Sequence, residues 1–278
     1  MGELRHPERH IATRIDDWRV HMSHLRRIGI DSISGATMCE IGTGWYPIMP
    51  VCFYLAGSRQ IFSTDIHHNI SESAALKAIV ALEPHLTDIA QVARVGGSVV
   101  RERYNRLKNA TGLDAMLDTA GITYWHGHQN GRMNGVPARS IDIAFSNNVL
   151  EHVPANEIIA LARDTAAALK PGGVVSHAVA CNDHYANFDS EISFINFLQY
   201  SDEDWRKWDN GLLWQNRLRA PDFLSLCETP ATPIAYRHDH THPGSIDAIR
   251  NMRLDDRFRR YSIEDLAVTS LHIIARAN

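Results

Sequence analysis

The sequence predicts an α/β fold in which helices cover both faces of a mostly parallel β-sheet. Bounded apolar runs typical of buried strands alternate with helical patterns, and this alternation indicates parallel strands joined by right-handed helical crossovers. The predicted strands are 36–42, 60–66, 122–127, 140–146 and 173–180. The segments PIAYRHD and DLAVTSLHIIAR predict two more strands near the C-terminus, the last with the pattern of an edge-pairing strand.

The predicted helices and surplus segments define one domain over residues 1–278. The clearest helix is predicted over 155–170, where it stops at a Pro-Gly-Gly turn. Three segments exceed what a minimal sheet needs: a helical N-terminal extension (1–30), a helical insertion (71–118), and an aromatic- and charge-rich stretch (182–219) that we interpret as a substrate lid.

The composition restricts the class of protein. The 278 residues are 44% hydrophobic and 22% charged, which excludes collagenous and disordered chains. Apolar runs fall short of the ~20 residues that a membrane-spanning helix needs, and the charged first twenty residues are unlike a signal peptide. We therefore expect a cytoplasmic protein without a membrane partner. Four scattered cysteines fit reduced core thiols.

Charge also indicates the kind of partner. A net charge of -4 argues against nucleic-acid binding, so the expected partner is a small polar molecule. The sequence leaves a homodimer open. Sixteen histidines are about twice the number expected for this length, and composition alone does not explain them.

The strongest local motif is MCEIGTGWYP, in which an apolar strand ends in Glu40-Ile41-Gly42-Thr43-Gly44 and a helix opens near Pro47. Glycines let the backbone turn sharply and approach a ligand closely, although a purely structural turn is the alternative. About twenty residues later Asp65 ends the next strand, where a carboxylate can accept both hydroxyls of a ribose or can simply cap a loop. Together the two motifs predict a nucleotide-like ligand.

The loop lacks the third glycine of a dinucleotide fingerprint, and bulky residues crowd the helix start, so a ligand without a pyrophosphate fits better. The ordered motifs EIGTG, the acidic end of the second strand, IDIAFSNNVLEHVP and LKPGGVV resemble those of class I S-adenosylmethionine-dependent methyltransferases. The resemblance implies a Rossmann-like, seven-stranded sheet with an antiparallel last strand and S-adenosyl-L-methionine as cofactor.

The resemblance also implies roles for individual residues. Residues of the first loop would cradle the methionine part of the cofactor, Asp65 would hold the ribose, two residues after the third strand would contact the adenine, and two after the fourth would line the methyl-donor side. In that order the residues are Glu40, Gly42, Thr43 and Gly44; Asp65; His128 and Gln129; Asn147 and Asn148.

Methyl transfer is an in-line displacement that needs a positioned acceptor and, for a hydroxyl or protonated amine, a base. Polar residues at the carboxyl ends of the fourth and fifth strands are the candidates. We predict His177 as base, Glu151 as its orienting partner and His152 as a further catalytic candidate. The alternatives are a core histidine for His177 and a packing residue for His152. The predicted acceptor-binding residues are Asp183, His184, Tyr185 and Arg217.

The run RHDHTHP carries His238, His240 and His242 on alternate positions, which would place three imidazoles on one strand face for a metal. A polar rim strand is the simpler interpretation, and no metal ligands are assigned. The run SFINFLQYSDEDWRKWDN is similar to bacterial glycan-associated methyltransferases and suggests a sugar-like acceptor, with an amine or guanidine metabolite as the other option.

Two other functions compete with methyl transfer to oxygen or nitrogen. One is a nicotinamide-dependent oxidoreductase on a related sheet, which the missing loop glycine and the LKPGG turn disfavour. The other is a protein that binds S-adenosylmethionine without methylating, or that uses it for cyclisation.

Overall fold

A computed structural model describes residues 9–127, 133, 135–208, 211 and 214–278. Its centre is a seven-stranded sheet in the order β3-β2-β1-β4-β5-β7-β6. The strands are β1 (Thr37–Ile41), β2 (Gln60–Asp65), β3 (Ile122–His126), β4 (Ile141–Asn147), β5 (Leu169–Ala180), β6 (Ile234–Thr241) and β7 (Val268–Arg276). Strands β1 to β5 pair in parallel, whereas β7 runs antiparallel to both β5 and β6. The predicted fold class is confirmed.

Helices fill the crossovers. They are α1 (Ile11–Arg27), α2 (Ile48–Leu55), α3 (Glu72–Ala81), α4 (Leu86–Ala93), α5 (Gly97–Lys108), α6 (Leu113–Thr119), α7 (Ala155–Ala168), α8 (Asp202–Trp205), α9 (Ala220–Cys227), α10 (Ser245–Asn251) and α11 (Ile263–Ala267). Short 3₁₀ turns lie at Glu83–His85, Leu150–His152, His184–Asn187, Asn196–Gln199, Arg206–Trp208 and Asp256–Phe258. Each of these helices is too short or too polar to span a bilayer.

The Pro-Gly-Gly turn behaves differently from its prediction. Helix α7 ends at Ala168, two residues early, and Leu169 already pairs with β4. Gly173 lies so close to β4 that a Cβ would sit 3.1 Å from the carbonyl oxygen of Ile141. The segment is therefore a tight, irregular start of β5, and glycine is required there by the proximity of the neighbouring strand.

The sheet is buried on both faces, which explains why its central strands are continuously apolar. One core joins the sheet to α1–α6 and the other joins it to α7 and α9. A third, smaller core packs Phe197 and Trp205 against Ile249, Phe258 and Leu266. Phe197 and Trp205 thus hold the 182–219 segment against the C-terminal helices, whereas Phe188 and Trp208 are exposed.

Helix α1 presents a polar face to the sheet and accounts for part of the histidine excess. His21 Nδ1 lies 2.9 Å from Ser176 Oγ, which also contacts His272 Nε2 at 2.8 Å. His24 Nδ1 lies 3.0 Å from the hydroxyl of Tyr236. These side chains form a hydrogen-bonded ladder across β5, β7 and β6, so they anchor α1 to the sheet.

The alternating histidines of β6 do not converge in the part of the chain that the structure describes. The ring of His238 lies 5.0 Å from that of His24, whereas the ring of His242 lies 4.4 Å from Phe194. His240 is exposed on the edge strand. Their arrangement matches the polar rim strand of the simpler interpretation.

Candidate functional site

Many of the predicted site residues lie at or just after the carboxyl ends of β1, β2, β4 and β5, at one edge of the sheet. The loop after β1 turns through two glycines with positive φ, Gly42 at +82° and Gly44 at +71°. A Cβ on Gly42 would approach Val149 Cγ2 to 2.5 Å, whereas a Cβ on Gly44 would meet no atom within 4 Å. Gly42 is thus required by packing, and Gly44 borders open space that a ligand can enter.

Asp65 ties the first two loops together. Its Oδ2 accepts the amide N–H of Gly44 at 2.8 Å, and its Oδ1 accepts that of His67 at 3.0 Å. The side chain is 8% exposed. A carboxylate fixed by two amides at the mouth of the glycine loop is oriented before any ligand arrives.

Glu40 is buried at the end of β1. Its Oε2 accepts a hydrogen bond from Ser63 Oγ at 2.5 Å, and Ser63 Oγ lies 2.6 Å from Thr43 Oγ1. Burial raises the pKa of Glu40 to about 8, even though the Ser63 hydrogen bond and the guanidinium of Arg14 favour the charged form. A buried carboxyl that is short of positive charge fits a cationic ligand group.

Two residues of α1 that sequence reasoning missed, Arg14 and Asp17, reach the site. Asn147 Nδ2 donates to Asp17 Oδ2 at 2.9 Å, and Arg14 forms an ion pair with the same oxygen at 3.3 Å. Asn148 is exposed with φ of +53°, and its amide donates to Ala178 O at 2.9 Å. The sequence signal in α1 was only an i, i+3 pair of opposite charge, which is common on helix surfaces.

The two residues predicted to contact the adenine, His128 and Gln129, lie outside the described residues. The neighbouring segment is defined up to Gly127, whose amide donates to Asp65 O at 3.0 Å. Their assignment stays a prediction.

His177 lies inside the sheet on β5, opposite Ser146 of β4. It is 4% exposed, and its Nδ1 is 2.8 Å from Ser146 Oγ. Burial lowers the pKa of its imidazole to about 4, so the ring is neutral at pH 7. Since Ser146 engages Nδ1, Nε2 is the ring nitrogen left to meet an acceptor.

Glu151 does not hydrogen-bond His177, because no side chain meets its carboxylate oxygens with hydrogen-bond geometry. The groups that favour its charged form are the backbone amides of Glu151 and Ala180. Its nearest ligand-type neighbours are His152 and His184, with donor atoms of all three residues within 4.8 Å of one another. Burial raises the pKa of Glu151 to about 8. The structure therefore gives His177 a serine as its immediate partner and groups Glu151 with two other histidines.

The remaining predicted acceptor residues hold the lid segment together. Asp183 accepts the amide of Tyr185 at 2.9 Å and the side chain of Asn196 at 3.2 Å, and burial raises its pKa. The Tyr185 hydroxyl donates to the carbonyl of Trp208. His184 is buried, and its amide donates to Gln215 Oε1 at 3.1 Å.

Arg217 is 3% exposed and points into the third core. Its guanidinium donates to the carbonyls of Phe197 (3.1 Å) and Tyr200 (2.7 Å) and pairs with Asp202. It also lies 5.2 Å from the ring centroid of Trp205. These contacts make Arg217 an internal clamp for the segment 196–208.

Two surface cavities lie away from the predicted site. A shallow cavity of about 370 Å³ lies between α4 and α5, and one of about 550 Å³ lies near the ends of α7 and β7. Neither is lined by a predicted site residue. The convergence of oriented polar groups at the carboxyl ends of the strands is the better guide to the site.

Comparison with known proteins bears directly on this arrangement. A family model described as a methyltransferase domain matches residues 25–225, which covers β1 to β5 and the whole lid segment. No curated protein matches the sequence.

Several solved structures are similar to this chain. A geranyl diphosphate methyltransferase in complex with GPP and sinefungin has a TM-score of 0.50 at 11% identity, over 93% of this chain and 76% of that one. An S-adenosylmethionine-dependent methyltransferase from Mesorhizobium loti has a TM-score of 0.49 at 17% identity, over 91% and 96%. Haemonchus contortus phosphoethanolamine N-methyltransferase 2, with phosphomonomethylethanolamine and S-adenosylhomocysteine bound, has a TM-score of 0.47 at 12% identity. The match covers 94% of this chain and 53% of that one.

Proposed function

Since this chain belongs to the methyltransferase family, we propose that it transfers a methyl group from S-adenosyl-L-methionine to an oxygen or nitrogen of a small polar acceptor. The observation that carries the proposal is the convergence of Glu40, the glycine loop and Asp65 beside the ends of β4 and β5. The family favours this reaction over the nicotinamide-dependent alternative.

The residues at the ends of β1 and β2 fit the cofactor. Glu40 offers a buried carboxyl to the cationic methionine end, Gly44 leaves open space beside its backbone, and Asp65 offers oriented carboxylate oxygens to ribose hydroxyls. Arg14 extends the predicted set, since its guanidinium can meet the methionine carboxylate from the α1 side. When bound, the cofactor supplies an electrophilic methyl group carried on a sulfonium.

His177 is proposed as the base. In the tautomer whose Nδ1 donates to Ser146 Oγ, Nε2 carries a lone pair and can accept the proton of a hydroxyl or ammonium acceptor. The ring is neutral at pH 7 because burial lowers its pKa, so the proton-accepting form is already present.

The acceptor is proposed to lie beneath the lid segment, near His184 and Tyr185. The polar side chains and backbone there suit a hydroxylated or amine-bearing molecule of the sugar or guanidine type. Asp183 and Arg217 contribute by holding this segment in place through the contacts described above.

The test is formation of S-adenosylhomocysteine when the full chain is incubated with S-adenosyl-L-methionine and a panel of sugars, amines and guanidines. We expect product with at least one polar acceptor, formed about 100-fold or more slowly when His177 is replaced by asparagine. The proposal fails if the protein binds the cofactor but forms no product with any acceptor of the panel.

A further inference from the structure

Three side chains with metal-ligand chemistry meet beside the proposed acceptor site. Glu151 and His152 lie on the turn after β4, and His184 lies on the turn after β5. Their ligand atoms lie within 4.8 Å of one another. The turns follow neighbouring parallel strands, so the topology itself brings the three groups together.

The Glu151 carboxylate points to what the cluster binds. The residue is 2% exposed, and no side chain hydrogen-bonds either of its oxygens. The polar groups that favour its charged form are the backbone amides of Glu151 and Ala180. Burial disfavours the ionised form of this carboxyl, and a nearby cation or a bound metal ion is what stabilises an ionised carboxylate in such a place. The nearest candidates to share charge with it are two imidazoles, which bind metals through a neutral nitrogen.

His152 is oriented as a metal ligand would be. Its Nδ1 lies 2.7 Å from the carbonyl oxygen of Trp214. A carbonyl can only accept, so Nδ1 carries the proton and Nε2 presents a lone pair. Metal-binding histidines commonly donate their second ring N–H to a carbonyl in this way. His152 is exposed, so an ion has a route into the cluster.

The two turns are fixed by the segment that follows Trp214. Asn216 donates through its side chain to Leu150 O at 2.7 Å and Val153 O at 2.8 Å, on either side of Glu151. Gln215 accepts the amide of His184 and donates to Asn182 O at 2.8 Å. Both ligand-bearing turns are thus held by the same short segment, residues 214–216, as preorganised metal sites require.

We propose that Glu151, His152 and His184 bind a divalent transition-metal ion of the zinc class. Two imidazoles and one carboxylate form a ligand set that suits such ions and leaves coordination positions open. The role of the ion rests on the proposed function. Its open coordination positions would face the acceptor, and the ion would hold the acceptor oxygen and favour deprotonation of that oxygen.

The first experiment titrates the chelator-treated full chain with Zn²⁺ by calorimetry and with Co²⁺ by visible absorption. The variants are Glu151→Gln, which is isosteric, and His184→Ala. The control is His240→Ala, which removes an exposed histidine of β6. We expect one tight site in the wild type, at least tenfold weaker binding in both site variants, and unchanged binding in the control.

Thermal unfolding supplies a second readout that does not depend on catalysis. Zn²⁺ should raise the melting temperature of the wild type and of His240→Ala, but not that of Glu151→Gln. Absence of a tight site, or a tight site insensitive to Glu151→Gln, overturns the proposal. The titration needs neither cofactor nor acceptor, so its failure is distinct from failure of methyl transfer.

Discussion

At the scale of single residues, the two loop glycines serve different purposes, and their alanine variants should differ in the free energy of unfolding. Gly42→Ala forces both a positive φ and a collision with Val149, for a loss of about 3 kcal/mol in the free energy of unfolding. Gly44→Ala meets no atom and should cost only the backbone term of about 1–2 kcal/mol. Urea unfolding of both variants measures the difference.

Cofactor affinity gives the complementary readout for this pair. Because Gly44 borders the open space beside Asp65, Gly44→Ala should weaken S-adenosylhomocysteine binding more than its small effect on stability suggests. Equal stability losses in the two variants would contradict the packing role of Gly42.

Replacement of His177 by asparagine tests whether Nε2 of the imidazole has a role beyond the contact that Nδ1 makes with Ser146. Asparagine can keep the contact of Nδ1 with Ser146 but has no group in the place of Nε2, so the fold should persist while turnover falls about 100-fold or more. Cofactor affinity should stay within about twofold, as measured by calorimetry. Near-normal turnover in His177→Asn would place the base elsewhere.

At the scale of elements, the segment 196–208 is held from within by Arg217. Arg217→Leu leaves the carbonyls of Phe197 and Tyr200 without their donors, and each lost charged hydrogen bond costs about 1.5–3 kcal/mol. We expect faster amide hydrogen exchange in this segment and an acceptor KM at least tenfold higher, with unchanged cofactor affinity.

Arg259→Leu is the matched control, because Arg259 forms an exposed ion pair with Asp256 within one helical turn. Such pairs contribute little, so neither exchange nor KM should change. If Arg217→Leu behaves like this control, the segment does not shape the acceptor site.

The elements also show how far sequence reasoning reaches. Apolar runs predicted β1 to β4 to within about a residue at each end, because burial on both faces leaves a direct imprint on a strand. The ladder from α1 to the sheet left no such imprint. Asp17 meets Asn147 across 130 positions of sequence, and no local pattern encodes a contact between two ordinary polar residues so far apart.

For the same reason, only some features of the candidate site could be predicted from the sequence. The positions of Glu40, Gly42 and Asp65 at the ends of β1 and β2 were predictable, because strand-end motifs have local backbone needs that the sequence shows. Their roles toward a ligand stay predictions. The Ser146 contact of His177, the Trp214 carbonyl against His152 and the inward course of Arg217 were not, since each depends on tertiary packing. Histidine residues were therefore placed at the correct strand ends but given incomplete partners.

At the scale of the whole molecule, buried histidines make stability depend on pH. Burial, with repulsion from His177 and His24, lowers the pKa of His21 to about 3, and burial together with repulsion from neighbouring histidines lowers that of His272. In the unfolded chain these rings bind protons below about pH 6.5. The unfolded state then holds more protons, so stability falls as pH drops from 6.5 towards 4.

The variant His21→Asn removes one of these imidazoles and so measures its contribution to the pH dependence. Its free energy of unfolding should depend on pH less steeply than that of the wild type, by about 1.4 kcal/mol per pH unit between pH 6.5 and about 4. Urea unfolding at several pH values measures both slopes, and the raised pKa of Glu40, which acts in the opposite direction, cancels in the difference. Parallel slopes would show that His21 titrates alike in both states.

We propose that S-adenosyl-L-methionine binds where β1 and β2 end, with Asp65 on its ribose. Calorimetric titration of S-adenosylhomocysteine into wild type, Asp65→Ala and Asp142→Ala tests it most directly. Asp142 also accepts a backbone amide, that of Thr37 at 2.8 Å, but at the start of β4 on the opposite edge of the sheet. The account predicts binding that is at least tenfold weaker in Asp65→Ala and unchanged in Asp142→Ala. Equal affinity in wild type and Asp65→Ala, or no binding by the wild type, would contradict it.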